Sequence, residues 1–248
     1  MQKVINFNNV YKKFNKTIAL KNVNFSIDRL DFTALIGNNG AGKTTIINAI
    51  CNLIEINSGQ INIFGKELNP KYVSYKGNMG FVLSKPFYIE QFTVKEYLEF
   101  VCKFQQVPKM EIRKRITNIL DYLDLKDYGQ KIIKNHSSGN QMKVSLAAAL
   151  IHNPEVLIFD EPFINLDIQT IDKIMSILEG FNGKKTLFIT SHYLDLVVDL
   201  CDRFLILNNG KIEIELNKKD FNNIEPLKLR VKEILGSDDE IKNIEWLN

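Results

Sequence analysis

The sequence predicts an α/β protein, and three observations carry that expectation. Short continuous apolar runs recur at Phe32-Thr33-Ala34-Leu35-Ile36, Val156-Leu157-Ile158-Phe159 and Thr186-Leu187-Phe188-Ile189-Thr190, as strands covered on both faces require. Helical periodicity follows the first of them at Ile46, Ile47, Ile50, Leu53 and Ile54. At that strand–helix junction lies Gly37-Asn38-Asn39-Gly40-Ala41-Gly42-Lys43-Thr44-Thr45, of the form G-x-x-x-x-G-K-T.

A loop that wraps a triphosphate must bring its backbone N–H groups to the oxygens, and side chains would obstruct them. Glycine removes the obstacle and permits positive φ. Lys43 then supplies a flexible point charge for the β- and γ-phosphates, and the Thr44 hydroxyl can ligate Mg²⁺. The helix that starts at the loop aims its N-terminal dipole and free N–H groups at the same phosphates. The expected ligand is a nucleotide.

Two more strand ends carry chemistry. Asp160-Glu161-Pro162 directly follows the run 156–159, at the carboxyl end of a strand, where open α/β sheets hold ligands. Asp160 can hold Mg²⁺, directly or through water, while Glu161 polarises the attacking water. Taken alone, this tripeptide is equally a strand end and helix cap; the phosphate loop upstream favours the chemical reading. His192 ends the next strand in Thr190-Ser191-His192, and its imidazole can donate to a γ-phosphate oxygen. His152 is expected on a helix surface.

Along the chain, residues 4–10 and 18–27 read as strands joined by a turn at Asn15-Lys16, and 61–64 as another before Gly65-Lys66. Residues 86–152 form a mainly helical subdomain. One of its helices presents Val94, Tyr97, Leu98 and Val101, and the next, behind Pro108, presents Ile112, Ile116, Ile119, Leu120 and Leu123. A buried helix is expected at 144–151, further helices around 168–179 and 193–200, and a hairpin through Asn208-Asn209-Gly210. Beyond residue 217 the pattern weakens. Residues 218–248 read as a C-terminal extension with polar turns at Asn222-Asn223 and Gly236-Ser237 and no evident chemistry.

The 248 residues, 45% hydrophobic and 25% charged, suit one large α/β domain. A net charge of +3 neither requires nor excludes nucleic acid or a membrane surface. Cys51, Cys102 and Cys201 have no metal-ligand rhythm and read as buried thiols in a reducing compartment. No apolar segment approaches the roughly 18 residues needed to span a bilayer. No continuous apolar core follows the charge at the start, so no signal peptide is expected.

With these residues assembled, residues 3–216 resemble the ATP-binding subunit of ABC transporters, with the motifs in that family's order. Gly37 to Thr45 resembles its Walker A, residues 156–162 its Walker B with Glu161 as catalytic glutamate, and Phe163-Ile164-Asn165-Leu166-Asp167 its D-loop. His192 resembles the switch histidine. Phe14 falls where the family stacks an aromatic on adenine, with Tyr11 as competitor. His136-Ser137-Ser138-Gly139-Asn140 stands where the family carries Leu-Ser-Gly-Gly-Gln. Ser137 and Gly139 keep the hydroxyl and the close backbone approach that hold a γ-phosphate at a helix N-terminus. This relaxed signature resembles export-type subunits. Ser84 stands where the family carries a glutamine that reaches toward Mg²⁺. Either a water bridges the gap, Gln91 or a neighbour substitutes, or coupling is altered.

The resemblance implies a P-loop NTPase fold, with a RecA-like core, an N-terminal antiparallel β-layer and a helical subdomain in residues 1–217. It implies ATP and Mg²⁺ as ligands, and head-to-tail pairing with a second ABC ATPase subunit, identical or different. Ser137, Gly139, Asn140 and Asp167 would then complete the partner's nucleotide site. It also implies a polytopic permease that holds the subunit at the inner face of the membrane, and no nucleic acid. The alternatives are a soluble ABC ATPase without a transport role and a binding-only regulator. The intact Lys43, Asp160, Glu161 and His192 argue against the last.

Overall fold

The computed structural model describes residues 2–84, 88–164 and 166–236. Asn165 of the D-loop segment and Ser237 of the expected last turn lie outside them. The chain opens with the long strands β1 (Lys3–Phe14) and β2 (Thr17–Asp28), joined at Asn15 and Lys16. β3 (Phe32–Ile36) leads through the glycine loop into α1 (Lys43–Ile50). β4 (Ser58–Ile63), β5 (Lys66–Glu67) and β6 (Met79–Val82) follow. Three helices come next: α2 (Val94–Phe104), α3 (Lys109–Tyr122) and α4 (Ser138–Leu150). The remainder alternates β7 (Val156–Asp160), α5 (Ile168–Glu179), β8 (Thr186–Ser191), α6 (Leu194–Val197), β9 (Arg203–Asn208), β10 (Lys211–Asn217) and α7 (Ile224–Leu235).

Two sheets result. An antiparallel one runs β2-β1-β4-β5, and a six-stranded one runs β10-β9-β3-β8-β7-β6, parallel except for β10. The apolar runs explain themselves here, because successive side chains of a strand point to opposite faces. Leu35, Val156, Ile158, Phe188, Leu205 and Leu207 pack with α1 and the antiparallel sheet. Ala34, Leu157, Phe159, Leu187, Ile189, Phe204 and Ile206 pack on the opposite face with the remaining helices. Both faces being covered, neither can be polar. Phe25 stacks between Phe7, at 4.5 Å, and Phe188, at 5.7 Å, and so ties the antiparallel layer to the parallel sheet.

Three local readings differ from the structure. α1 stops at Ile50, because Asn52 turns into the left-handed region at φ 53°, a conformation that commonly ends helices. Leu53 is therefore exposed and outside the helix. His152 is not a surface-helix residue. It follows α4, half-buried, with Nε2 3.0 Å from the Met79 carbonyl, and burial lowers its pKa. The third difference is α7, which begins at Ile224, directly after the polar turn expected at Asn222-Asn223. Ile224, Leu227, Val231, Ile234 and Leu235 form its inner stripe, with Leu227 and Val231 buried in the main core. The stripe is short and interrupted by Lys and Arg, and Pro226 masks the first turn.

Because Leu227 is fully buried, Leu227→Ala should destabilise the protein by about 2–5 kcal/mol, as core leucine truncations do. Urea unfolding measures this. A shift near zero would make residues 224–235 a loosely attached appendage.

Candidate functional site

The parallel register places four loops on one edge. Ile36 lies opposite Ser191, Asp160 opposite Thr190, and Val82 opposite Phe159. The loops that leave β3, β8, β7 and β6 therefore open side by side at the carboxyl edge, where ligands of such sheets lie.

In the first loop, Gly42 has φ 114°, and a Cβ there would lie 2.8 Å from the Ala19 carbonyl. At Gly37 a Cβ would stand on the Leu207 carbonyl. The glycines thus let the loop press against β2 and β9, while Asn38, Asn39 and Gly40 stay exposed and Ala41 is buried. Lys43 opens α1 and is buried. Its Nζ donates to the Gly37 carbonyl at 2.6 Å and the Asn38 carbonyl at 3.3 Å, and pairs with Glu161 Oε1 at 3.1 Å. Thr44 is exposed and Thr45 half-buried.

The two adjacent acids are held differently. Asp160, 1% exposed, accepts the Thr190 hydroxyl on Oδ1 at 2.7 Å. Its Oδ2 accepts both Thr44 Oγ1, at 3.2 Å, and Ser84 Oγ, at 3.0 Å. Glu161 has φ 50°, unusual for a residue with a Cβ. Its N–H donates to Thr190 Oγ1 at 3.0 Å and to the Thr190 carbonyl at 3.2 Å. Its Oε2 accepts the His192 backbone N–H at 3.3 Å and lies 2.8 Å from His192 Nδ1. An ionised carboxylate only accepts, so the proton of that contact belongs to Nδ1.

Lys43, Thr44, Ser84, Asp160, Glu161 and His192 are therefore one connected cluster. Sequence reading missed the fully buried Thr190, whose hydroxyl joins the Asp160 carboxylate to the Glu161 backbone N–H. Its only signal was a polar residue inside an apolar strand. Among the described residues no three His, Cys, Asp or Glu converge as a metal cage. A cation shared with phosphates needs no such cage, since one carboxylate and substrate oxygens suffice for Mg²⁺. The convergence of two hydroxyls on Asp160 Oδ2 is a hard-oxygen donor set that fits it.

The remaining candidates lie apart from this cluster. Ser137 caps α4, its Oγ accepting the Asn140 N–H at 3.3 Å, and Gly139 packs buried against Asp167 and Thr170. Asp167 caps α5 by accepting the Thr170 N–H and hydroxyl, each at 2.9 Å, and these bonds hold its pKa below the usual carboxylate range. His136 packs half-buried against Tyr128. Phe14 ends β1, half-exposed, with the Lys12 ammonium 4.6 Å over its ring; Tyr11 lies further back in the same strand.

A family model described as ABC transporter matches residues 20–164, from β2 through both acids. The chain belongs to the ABC transporter family. It is 34% identical to the ABC transporter G family member 23 of Dictyostelium discoideum over 84% of this chain, a match that spans 30% of that protein. To the linearmycin resistance ATP-binding protein LnrL of Bacillus subtilis it is 32% identical over 82% of this chain and 66% of LnrL. Among solved structures, the dimeric bacterial ABC transporter cassette MJ0796 superposes with a TM-score of 0.80 at 28% identity, covering 88% of this chain and all of that one. The same cassette is known as a dimer in a post-hydrolysis state with ADP and Pi. The fold is thus the P-loop NTPase fold of ABC cassettes.

Variants at two positions probe that cluster. Lys43→Ala removes a charged donor worth about 1.5–3 kcal/mol, so affinity for a fluorescent ATP analogue should fall roughly 10- to 100-fold. Thr190→Val keeps the shape but removes the hydroxyl donor from the buried Asp160 Oδ1 and leaves the Glu161 N–H with the Thr190 carbonyl alone. Stability should drop by about 1–3 kcal/mol in urea melts, ATP turnover should fall with it, and Thr190→Ser should restore both.

Proposed function

We propose that this chain is a Mg²⁺-dependent ATPase subunit that powers a separate membrane permease in the export direction. The observation that carries the hydrolytic part is Glu161, held between Lys43 and His192 at the edge where the phosphate loop opens. ATP entering the loop takes Lys43 for its outer phosphates and leaves Glu161 facing the γ-phosphate. Water attacks the γ-phosphorus, Glu161 accepts the water proton, and the bond to the bridging oxygen breaks to give ADP and phosphate. Lys43, the N–H groups of residues 37–45 and His192 offset the charge that develops on the phosphoryl oxygens. Bound Mg²⁺ supplies further charge neutralisation there, with Thr44, Asp160 and Ser84 as the residues that would hold it.

Ser137 caps α4 and Gly139 packs against α5, and the N-terminus of α4 meets the ATP of a second subunit. Ser137, Gly139, Asn140 and Asp167 are its contact residues. Phe14 stacks on the adenine. A homodimer is the simplest assembly and a heterodimer the variant of it. Among the described residues no helix is long and apolar enough to cross a membrane; the permease of this proposal supplies the membrane-spanning path. A cavity of about 210 Å³ between β6, α2 and α4, lined by Phe81, Leu83, Tyr97, Val101 and His152 among others, offers an apolar seat for a permease segment beside Ser84. The relaxed signature and the likeness to a resistance ATP-binding protein support export. The subunit would then sit at the cytoplasmic face of the membrane.

Glu161→Gln is the decisive variant. Turnover should fall at least ~10²-fold, while ATP binds at least as tightly, because the amide no longer competes for Lys43. Size-exclusion chromatography with ATP should show a dimer. Normal hydrolysis would move the base elsewhere. ATP-driven uptake into inverted vesicles holding the co-expressed permease tests export, and a chain that hydrolyses ATP without any permease partner would be a soluble ABC ATPase.

A further inference from the structure

The C-terminal helix α7 meets the nucleotide site at two points. Leu227 and Val231 anchor it in the core, and its last turn points carbonyls toward the phosphate loop. The final carbonyls of a helix have no partners within it. Here Asn208 Nδ2 donates to the Ile234 carbonyl at 3.4 Å, and Asn38 Nδ2 donates to the Leu235 carbonyl at 3.1 Å. Asn38 belongs to the phosphate loop, and its own carbonyl accepts Lys43 Nζ. One residue therefore caps α7 with its side chain and holds the phosphate lysine with its backbone. One turn into α7, Lys228 pairs with Asp195 at 2.6 Å, three residues beyond His192. Asn38, His192, Asp195, Lys228, Val231 and Leu235 are among the walls of a cavity of about 320 Å³ between these two ties.

We propose that α7 is a positioning element of the nucleotide site, energetically coupled to the phosphate loop through Asn38 and to the His192 segment through Lys228. The proposal rests on the nucleotide reading of that site. The side chain of Asn38 is directed at α7, so Asn38 is a positioning residue through its amide, separate from its backbone role at the phosphates. Phosphates that draw Lys43 away from Glu161 and the Asn38 carbonyl change the loop on which the last turn of α7 rests. By linkage, docking of α7 sets nucleotide affinity by the same factor that nucleotide sets the docking of α7.

Hydrogen exchange on the full chain, with and without the Mg²⁺ complex of a non-hydrolysable ATP analogue, tests this. Nucleotide should slow exchange of residues 231–236 by about fivefold, the lower end of measured couplings. Asn38→Ala and Asn38→Asp should abolish that slowing, and Val231→Ala should weaken analogue binding by a similar factor. Should Val231→Ala unfold the chain, Lys228→Met, which unties the other end, serves in its place. Protection of the phosphate loop with no change in α7 overturns the coupling and leaves the nucleotide site intact. Variants that speed α7 exchange equally with and without nucleotide reduce Asn38 to a structural cap, which also overturns it. No analogue binding at all overturns both readings.

Discussion

The site depends on Glu161, a buried carboxylate held from four directions. Its backbone is forced into the left-handed region, and the Thr190 hydroxyl and carbonyl receive its N–H. Its carboxylate sits between a buried ammonium and an imidazole. Strain of this kind persists only where the surroundings over-determine it. Burying a charge pair costs desolvation that the attraction between the partners barely offsets, so the Lys43–Glu161 pair is a poor device for stability. It makes sense as a site that holds a desolvated ammonium ready, so that an anion taking Lys43 would not have to bury the cation anew.

Thr190 extends this constraint to the second acid. One hydroxyl donates to the Asp160 carboxylate and accepts the Glu161 backbone N–H, so the side chain of one acid and the backbone of the next are tied to the same point on β8. Asp160 then faces the hydroxyls of Thr44 and Ser84, one from the phosphate loop and one from the end of β6. The hydroxyl of Ser84 reaches the acid directly where the family carries a longer amide, so the β6 segment must lie close to the sheet edge. Whatever moves that segment moves a hydroxyl bonded to Asp160.

These contacts rely on the sheet being parallel and covered. Parallel strands β3, β8, β7 and β6 deliver their carboxyl ends to one edge, and crossover helices supply the cover on the face opposite the antiparallel layer. The Phe7–Phe25–Phe188 stack and the salt bridges of Arg203 to Asp31 and Glu215 join β1, β2, β9 and β10 to the same body. Helix α7 closes that body beside the phosphate loop, which makes residues 224–235 part of the same core.

The sequence by itself determined whatever a single strand–loop–helix unit encodes. The glycine spacing, the apolar runs with acids or histidine at their ends, and Ser137 ahead of a helix are local patterns, set by backbone sterics and strand or helix period. The fold class followed from them and from family resemblance. Only the tertiary structure decided which side chains meet. Nothing near Thr190 in the chain announces that it bridges Asp160 and Glu161, because parallel pairing brings β7 and β8 together across an intervening helix. Nor does the neighbourhood of Asn38 announce its bond to a carbonyl 197 residues away. The helix that supplies that carbonyl had a legible apolar stripe, but a short amphipathic stripe acquires stability only from the core it packs on. That core exists only once the sheet has formed.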